Sequence, residues 1–379
     1  MTEQVWELAP AEQGYVIEEI TTRGIEYPAP PLMKSQWGDT EYACLVSVRV
    51  GGCWGHAFSR CPMGIHPIVN AVWIDQFMAP RLVGRPLAEY PRHWARFVDS
   101  TYHQRLHIFP VSAVDVAIWD ARGKLAGQPV AQLLNPEYKR SVRAYASIPG
   151  FREGAPAAEE SLRTVEAGFG GIKTHTVNDI GEDMDVLGAI RNAVGDRAHV
   201  MYDASTTLTD EKAATIGRFL GDIGAHWFEE PFPVWHAERY RRLRASADVP
   251  LTGLETSPGA PGSIDWALET KVFDFIEIDA NWKAGVTGGY ESMSKVTSGG
   301  VRIAMHHAGA SSMNIANIHL VSAWPAVDMI ELLTPADKYN VASVLPRPDP
   351  ATGSLAVPAA PGLGEDIDWE FVNAHEVNL

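Results

Sequence analysis

Cysteine is nearly absent: Cys44, Cys53 and Cys61 are the only three in 379 residues. An odd number without any CxxC spacing suggests neither a disulfide framework nor a zinc knuckle, and the three read as packing residues. No stretch approaches the run of about 18 apolar residues that a membrane span needs. The opening segment MTEQVWELAPAEQ is acidic where a secretory signal is basic and then apolar, so the expected compartment is the cytoplasm. Positive charge is also scarce. With 31 Lys and Arg against 47 Asp and Glu, the formal charge is −16, which argues against nucleic acid or an anionic membrane as partner. An anionic ligand must then be held by local charge, from a metal or a few Lys, Arg and His. The length suits one large domain with a smaller one beside it.

Three parts are expected along the chain: residues 1–135, 136–345 and 346–379. The first is mixed. Ala43 to Val50 alternates and ends at Gly51-Gly52, as a hairpin or meander does. Pro28-Ala29-Pro30-Pro31 marks a rigid loop before it. Ile68 to Leu82 and Val111 to Leu125 carry helical spacing. In the second part, short β-like runs alternate with helical ones, at 142–147, 171–175, 200–203, 226–229, 250–255, 275–279, 301–306 and 327–331. Eight strands with crossover helices imply parallel pairing and a (β/α)₈ barrel. The third part, Pro- and Gly-rich from Pro346 to Gly364, is apolar enough to fold back onto the first.

Five consecutive strands end in Asp203, Glu229, Glu255, Asp279 and His306, at intervals of 24 to 27 residues. The C-terminal ends of barrel strands converge on one mouth, where such folds carry their active sites. Each acidic residue alone is equally well a cap for the following helix. Three in register would repel unless a cation joined them, and Asp203, Glu229 and Glu255 offer hard oxygen ligands for an octahedral Mg²⁺. Asp279 beside His306 would fix the imidazole tautomer and raise its basicity, making a general base. Lys173 and His175, two apart on the second strand, share the interior face. Glu331, on the last strand, either hydrogen-bonds a substrate oxyanion when protonated or pairs with a cation.

These residues resemble the enolase superfamily, specifically its mandelate racemase group. The resemblance runs from Ser112 to Asp120 with Gly123-Lys124, through Tyr202-Asp203, Phe228-Glu229-Glu230-Pro231 and Glu255, to Asp279 with Ala284 to Gly288, His306 and Glu331. It implies a modified (β/α)₈ TIM barrel under an α+β capping domain built from both chain ends. It also implies Mg²⁺ on Asp203, Glu229 and Glu255, a His306–Asp279 base, and a homo-oligomer. Lys173 matches the first lysine of the family's Lys-x-Lys motif, but His175 replaces the second, and Ser205 stands where Asn is frequent.

The expected chemistry is removal of the proton next to a carboxylate, followed by loss of water from a sugar acid. A racemase or epimerase using His175 as second base is the alternative. A non-catalytic barrel that keeps the metal site is a third, although a binding scaffold needs no base dyad. The expected partner is a small carboxylate, met by loops of the cap. Candidates for that contact are Lys34, in the segment Lys34 to Trp37, and His56 and Arg60, in the segment Trp54 to Arg60. Ordinary surface placement is the plain alternative for each.

Overall fold

The structure is a computed structural model that describes residues 6–29, 38–61, 64–257, 264–307, 311–327, 329–335 and 340–379. Its first layer is an antiparallel sheet of β1 (Ile17–Pro28), β2 (Thr40–Val50) and β3 (Cys53–Cys61). β2 and β3 are joined at Gly51 and Gly52, whose φ angles of 54° and 81° suit the two-residue turns that match strand twist. β1 was not anticipated, because its Glu-Glu and Thr-Thr pairs mask the alternation. It forms by pairing along β2, from Ile17 opposite Val50 to Pro28 opposite Thr40.

β2 is buried on both faces. Cys44, Val46 and Val48 join the main core, while Ala43 and Leu45 pack with Phe58 and Val372 of the C-terminal segment. The helix Phe109–Ala126 lies against this sheet and is buried on every side from Phe109 to Gly123. Contact is close enough that a Cβ at Gly55 would sit 1.9 Å from the Ala117 carbonyl oxygen. The helical stretch Ile68 to Leu82 is present but passes through a π-helical turn at Ile74–Met78.

Eight parallel strands form the second layer: β4 (Ser141–Ile148), β5 (Gly171–His175), β6 (His199–Asp203), β7 (Trp227–Glu229), β8 (Leu251–Gly253), β9 (Phe275–Ile278), β10 (Arg302–Met305) and β11 (Met329–Leu333). They are ordered β10-β9-β8-β7-β6-β5-β4-β11, and the two end strands adjoin, so the sheet curls into a nearly closed barrel. Both faces are covered, which is why these strands read as apolar runs. Among the described residues, a helix lies between each strand of the series β4 to β11 and the next. After β11, β12 (Leu355–Ala356) pairs antiparallel with the start of β4. Then β13 (Glu376–Val377) pairs with Gly24 and Ile25 of β1, completing the cap from the other chain end. The fold is the modified TIM barrel with an α+β cap. No described helix is long and apolar enough to cross a membrane.

Candidate active site

Side chains inside the barrel stack in layers because alternate residues of each strand face inward. Tyr145, Met201, Trp227, Phe275 and Ala304 form an apolar cluster, with Met329 packed on it. Two residues further along the same strands stand Ser147, Asp203, Glu229, Glu277, His306 and Glu331. A dry floor therefore carries a polar layer directly at the C-terminal mouth. Trp227 links the two layers, its indole N–H donating to Glu229 Oε2 at 2.9 Å.

Lys173 is buried in this layer. Its Nζ lies 2.6 Å from Glu229 Oε1 and 2.9 Å from Glu331 Oε1. Burial by itself would raise the Glu331 carboxyl, but Lys173 and then His306 outweigh it and hold it below the usual range. Of the two sequence readings for Glu331, pairing with a cation is the one this geometry favours. Glu331 Oε2 additionally accepts from the backbone N–H of His307 at 3.2 Å.

His175, Asp203 and Glu229 sit opposite one another in the parallel register of β5, β6 and β7. Side chains so paired face the same way, and His175 Nε2 reaches Asp203 Oδ2 at 3.2 Å. His175 Nδ1 donates to the Ile148 carbonyl at 2.8 Å, so both ring nitrogens are engaged. Asp203 Oδ1 accepts from the Ser205 N–H at 2.7 Å. Burial pushes the Asp203 carboxyl up, but its contacts to His175 and the charge of Lys173 take it well below the usual range.

Across the mouth, His306 Nδ1 lies 2.7 Å from Asp279 Oδ2, and Nε2 lies 3.2 Å from Glu255 Oε1. Asp279 is itself held by the Asn281 N–H at 2.7 Å. Burial alone would lower the imidazole, yet Glu255 and then Asp279 raise it to about 9.

Glu255 follows the end of β8 at a turn where Leu254 takes φ of 77°. Two buried residues hold that turn. Glu230 Oε1 accepts from the N–H groups of Leu254 and Glu255 at 2.8 and 3.1 Å. Lys283 Nζ donates to the carbonyls of Leu254 at 2.6 Å and of Glu255 and Ser257 at 3.4 Å. Burial lowers the Lys283 ammonium to about 8.

Oxygens of Glu229, Glu255 and Glu277 lie within 4.8 Å of one another. Asp203, drawn towards His175, is outside that tight group. Glu277 is fully buried, and neither of its oxygens has a hydrogen-bond partner. Burial, then the charge of Glu229, pushes its carboxyl far up. An all-oxygen donor set with an orphaned buried carboxylate fits a hard divalent cation such as Mg²⁺.

Of the three cap candidates, Lys34 falls outside the described residues. His56 is not turned to this site: Nδ1 meets Ser47 Oγ at 2.9 Å, and the ring packs between Trp54 and Trp369. Burial lowers it to about 4. Arg60 has its guanidinium 5.8 Å from the ring of Trp282, three residues beyond Asp279 in sequence.

Residues 17–135 match the mandelate racemase / muconate lactonizing enzyme N-terminal domain, and residues 157–371 match the enolase C-terminal domain-like family. The chain belongs to the enolase superfamily, in its mandelate racemase group. Among relatives of this superfamily member, D-galactarolactone cycloisomerase of Agrobacterium fabrum is 30% identical over 76% of the chain and 80% of the relative. Arabinonate dehydratase of Saccharolobus solfataricus is 30% identical over 78% of the chain and 80% of the relative. A mandelate racemase candidate from Bordetella bronchiseptica, solved with 2-oxoglutarate/phosphate, superposes with a TM-score of 0.87 at 27% identity, covering 97% of this chain and 99% of that one.

Three residues of this superfamily site were missed in the sequence. Glu230 appeared only within Glu-Glu-Pro, and Lys283 carries no periodic signal because it lies in the turn after β9. Glu277 had one: it precedes Asp279 by two, which places it on the same face of the strand.

Proposed function

We propose that this enolase-superfamily protein is a Mg²⁺-dependent acid-sugar dehydratase, converting an aldonate or aldarate to its 2-keto-3-deoxy product. The observation that carries the reading is the asymmetry of the two sides of the mouth. On one side His306 has a carboxylate at Nδ1, Asp279 at 2.7 Å, which steadies an imidazolium, and its Nε2 lies 3.2 Å from Glu255. On the other, Lys173 is committed to two carboxylates, and His175, whose Nε2 likewise meets a carboxylate, has only the neutral Ile148 carbonyl at Nδ1. One oriented base suits elimination, whereas epimerisation needs a competent base on each face. The names of the relatives, a dehydratase and a cycloisomerase of sugar acids or their lactones, support the same substrate class.

In this reading Asp203, Glu229 and Glu255 hold the cation. Mg²⁺ supplies Lewis-acid stabilisation of the negative charge that develops on the substrate carboxylate as the α-proton leaves. His306 Nε2 takes that proton, and Asp279 steadies the resulting imidazolium through Nδ1. Glu255 is the largest of the upward pulls on His306. His306 then delivers the proton to the departing β-hydroxyl, which leaves as water, and the enol tautomerises to the ketone. Lys173 keeps Glu229 and Glu331 in place beneath the carboxylate. Arg60 meets the distal end of the substrate. The small carboxylate and further copies of the same chain are the partners proposed, and the cytoplasm the compartment.

The test is a screen of purified, Mg²⁺-loaded protein against aldonic and aldaric acids, reading 2-keto acid formation. Turnover that disappears with EDTA and with His306→Asn supports the dehydratase. Silence in that screen with α-proton exchange or epimerisation in D₂O replaces it by the epimerase. Binding of these acids without turnover or exchange replaces both by a ligand-binding barrel.

A further inference from the structure

Glu277 is the third residue of β9, two beyond Phe275 of the barrel floor. Met201 precedes Asp203 by the same step, and Trp227 precedes Glu229. Strand alternation therefore makes Glu277 a layer-mate of the two carboxylates proposed to hold the cation. Asp279, the acidic residue that ends the same segment, belongs one layer higher and is occupied with His306 and Asn281.

Glu277 is fully buried and both of its carboxylate oxygens are without a hydrogen-bond partner. A carboxylate in such a place is unfavourable unless it is neutral or matched by a cation. The ammonium groups nearby are already spent. Lys173 is paired with Glu229 and Glu331, and Lys283 points its Nζ at the carbonyls of Leu254, Glu255 and Ser257.

One oxygen each from Glu229, Glu255 and Glu277 falls in a group no wider than 4.8 Å. A cation with ligand distances of about 2.1 Å holds opposite oxygens about 4.2 Å apart. Small side-chain rotations suffice to close this group on one ion.

We propose that Glu277 is a further carboxylate ligand of the cation centre, supplied by β9 in addition to Asp203, Glu229 and Glu255. The proposal rests on the cation site of the function proposed above. Three strands, β6, β7 and β9, then contribute ligands from one layer, and Glu255 contributes from the turn after β8. The extra anion strengthens the grip on the divalent ion at the expense of the cation-free fold, which must bury it alone.

The experiment is calorimetric titration of the full-length protein with Mg²⁺, and of its Mn²⁺ complex by electron paramagnetic resonance, for the wild type, Glu277→Gln and Glu277→Met. As a ligand, Glu277 predicts affinity at least 10-fold weaker in both variants, with Met no better than Gln. It also predicts a smaller rise in melting temperature on adding Mg²⁺, together with an unchanged or higher melting temperature in EDTA. Affinities within two-fold of wild type overturn the proposal while leaving the cation site intact. Wild-type protein that takes up no divalent ion overturns the cation site itself and this proposal with it. Should either variant fail to fold, a crystal structure of the Mg²⁺-loaded wild type decides: a Glu277 oxygen about 2.1 Å from the ion supports the assignment, and one in no contact with it overturns it.

Discussion

Lys173 Nζ lies 2.6 Å from Glu229 Oε1, and both side chains are buried inside the barrel. The same ammonium holds Glu331 Oε1 at 2.9 Å, so one positive charge serves two carboxylates where water cannot screen them. Removing the cation from a buried pair leaves its partners uncompensated, which costs about 3–5 kcal/mol. Lys173→Met is expected to lose stability of that order, read by urea denaturation in EDTA. Adding Glu331→Gln to Lys173→Met should recover part of it. A loss under about 1 kcal/mol in the single variant would show that the two carboxylates are neutral in the folded protein.

The Asp279–His306 contact makes a different prediction. An amide at position 279 can donate to Nδ1, which shifts the imidazole proton to Nε2 and disarms the base. Asp279→Asn should therefore bind Mg²⁺ as the wild type does while kcat falls by about 10²–10⁴. Steady-state kinetics beside a cation titration separates the two. A variant that retains wild-type kcat would remove the dyad from the mechanism.

Arg60 stands on β3 with its guanidinium over Trp282, in the turn that follows Asp279. A contact to the non-reacting end of the substrate is felt equally in the ground and transition states. Arg60→Met should then raise KM about 10-fold and leave kcat within about two-fold. Unaltered KM would return Arg60 to a packing role against the tryptophan.

His319 predicts a pH dependence of stability. It is buried where cap and barrel meet, with Nδ1 accepting from the Ala131 N–H at 3.2 Å and Nε2 donating to the Leu363 carbonyl at 3.0 Å. Both bonds require the neutral ring. Burial is the main cause that lowers it to about 4, so between pH 6.5 and 4 the unfolded chain binds a proton that the folded chain refuses. Its contribution is complete above pH 6.5 and is lost as the pH falls, by about 3 kcal/mol at pH 4. His319→Gln, which cannot titrate, should be less stable at pH 7.5 but decline less steeply across that window. Parallel slopes from chemical denaturation at several pH values would contradict the assignment.

Much of this was legible in the chain itself. Eight apolar runs at a steady period could be read as barrel strands because parallel strands buried on both faces carry no interfering alternation. Their polar ends stood out for the same reason. β1 was less legible, since a strand with a paired neighbour and one partly exposed face tolerates Glu and Thr at inward-looking intervals. The helix Phe109–Ala126 showed its helical spacing but not its complete burial, which depends on having the sheet of the cap on one side and the barrel on the other.

Position in the sequence, then, determined which residues could reach the mouth: a strand end projects its side chain there wherever the barrel closes. Which of them meet was decided by closure alone. The parallel register sets His175 beside Asp203, and curvature of the sheet brings Lys173 between Glu229 and Glu331. The layer built on Met201, Trp227 and Phe275 admits Glu277 beside Glu229, whereas Asp279, equally acidic and only two residues on, is turned over to His306. Distances across a barrel arise from strands far apart in the chain, and no local pattern of residues encodes them.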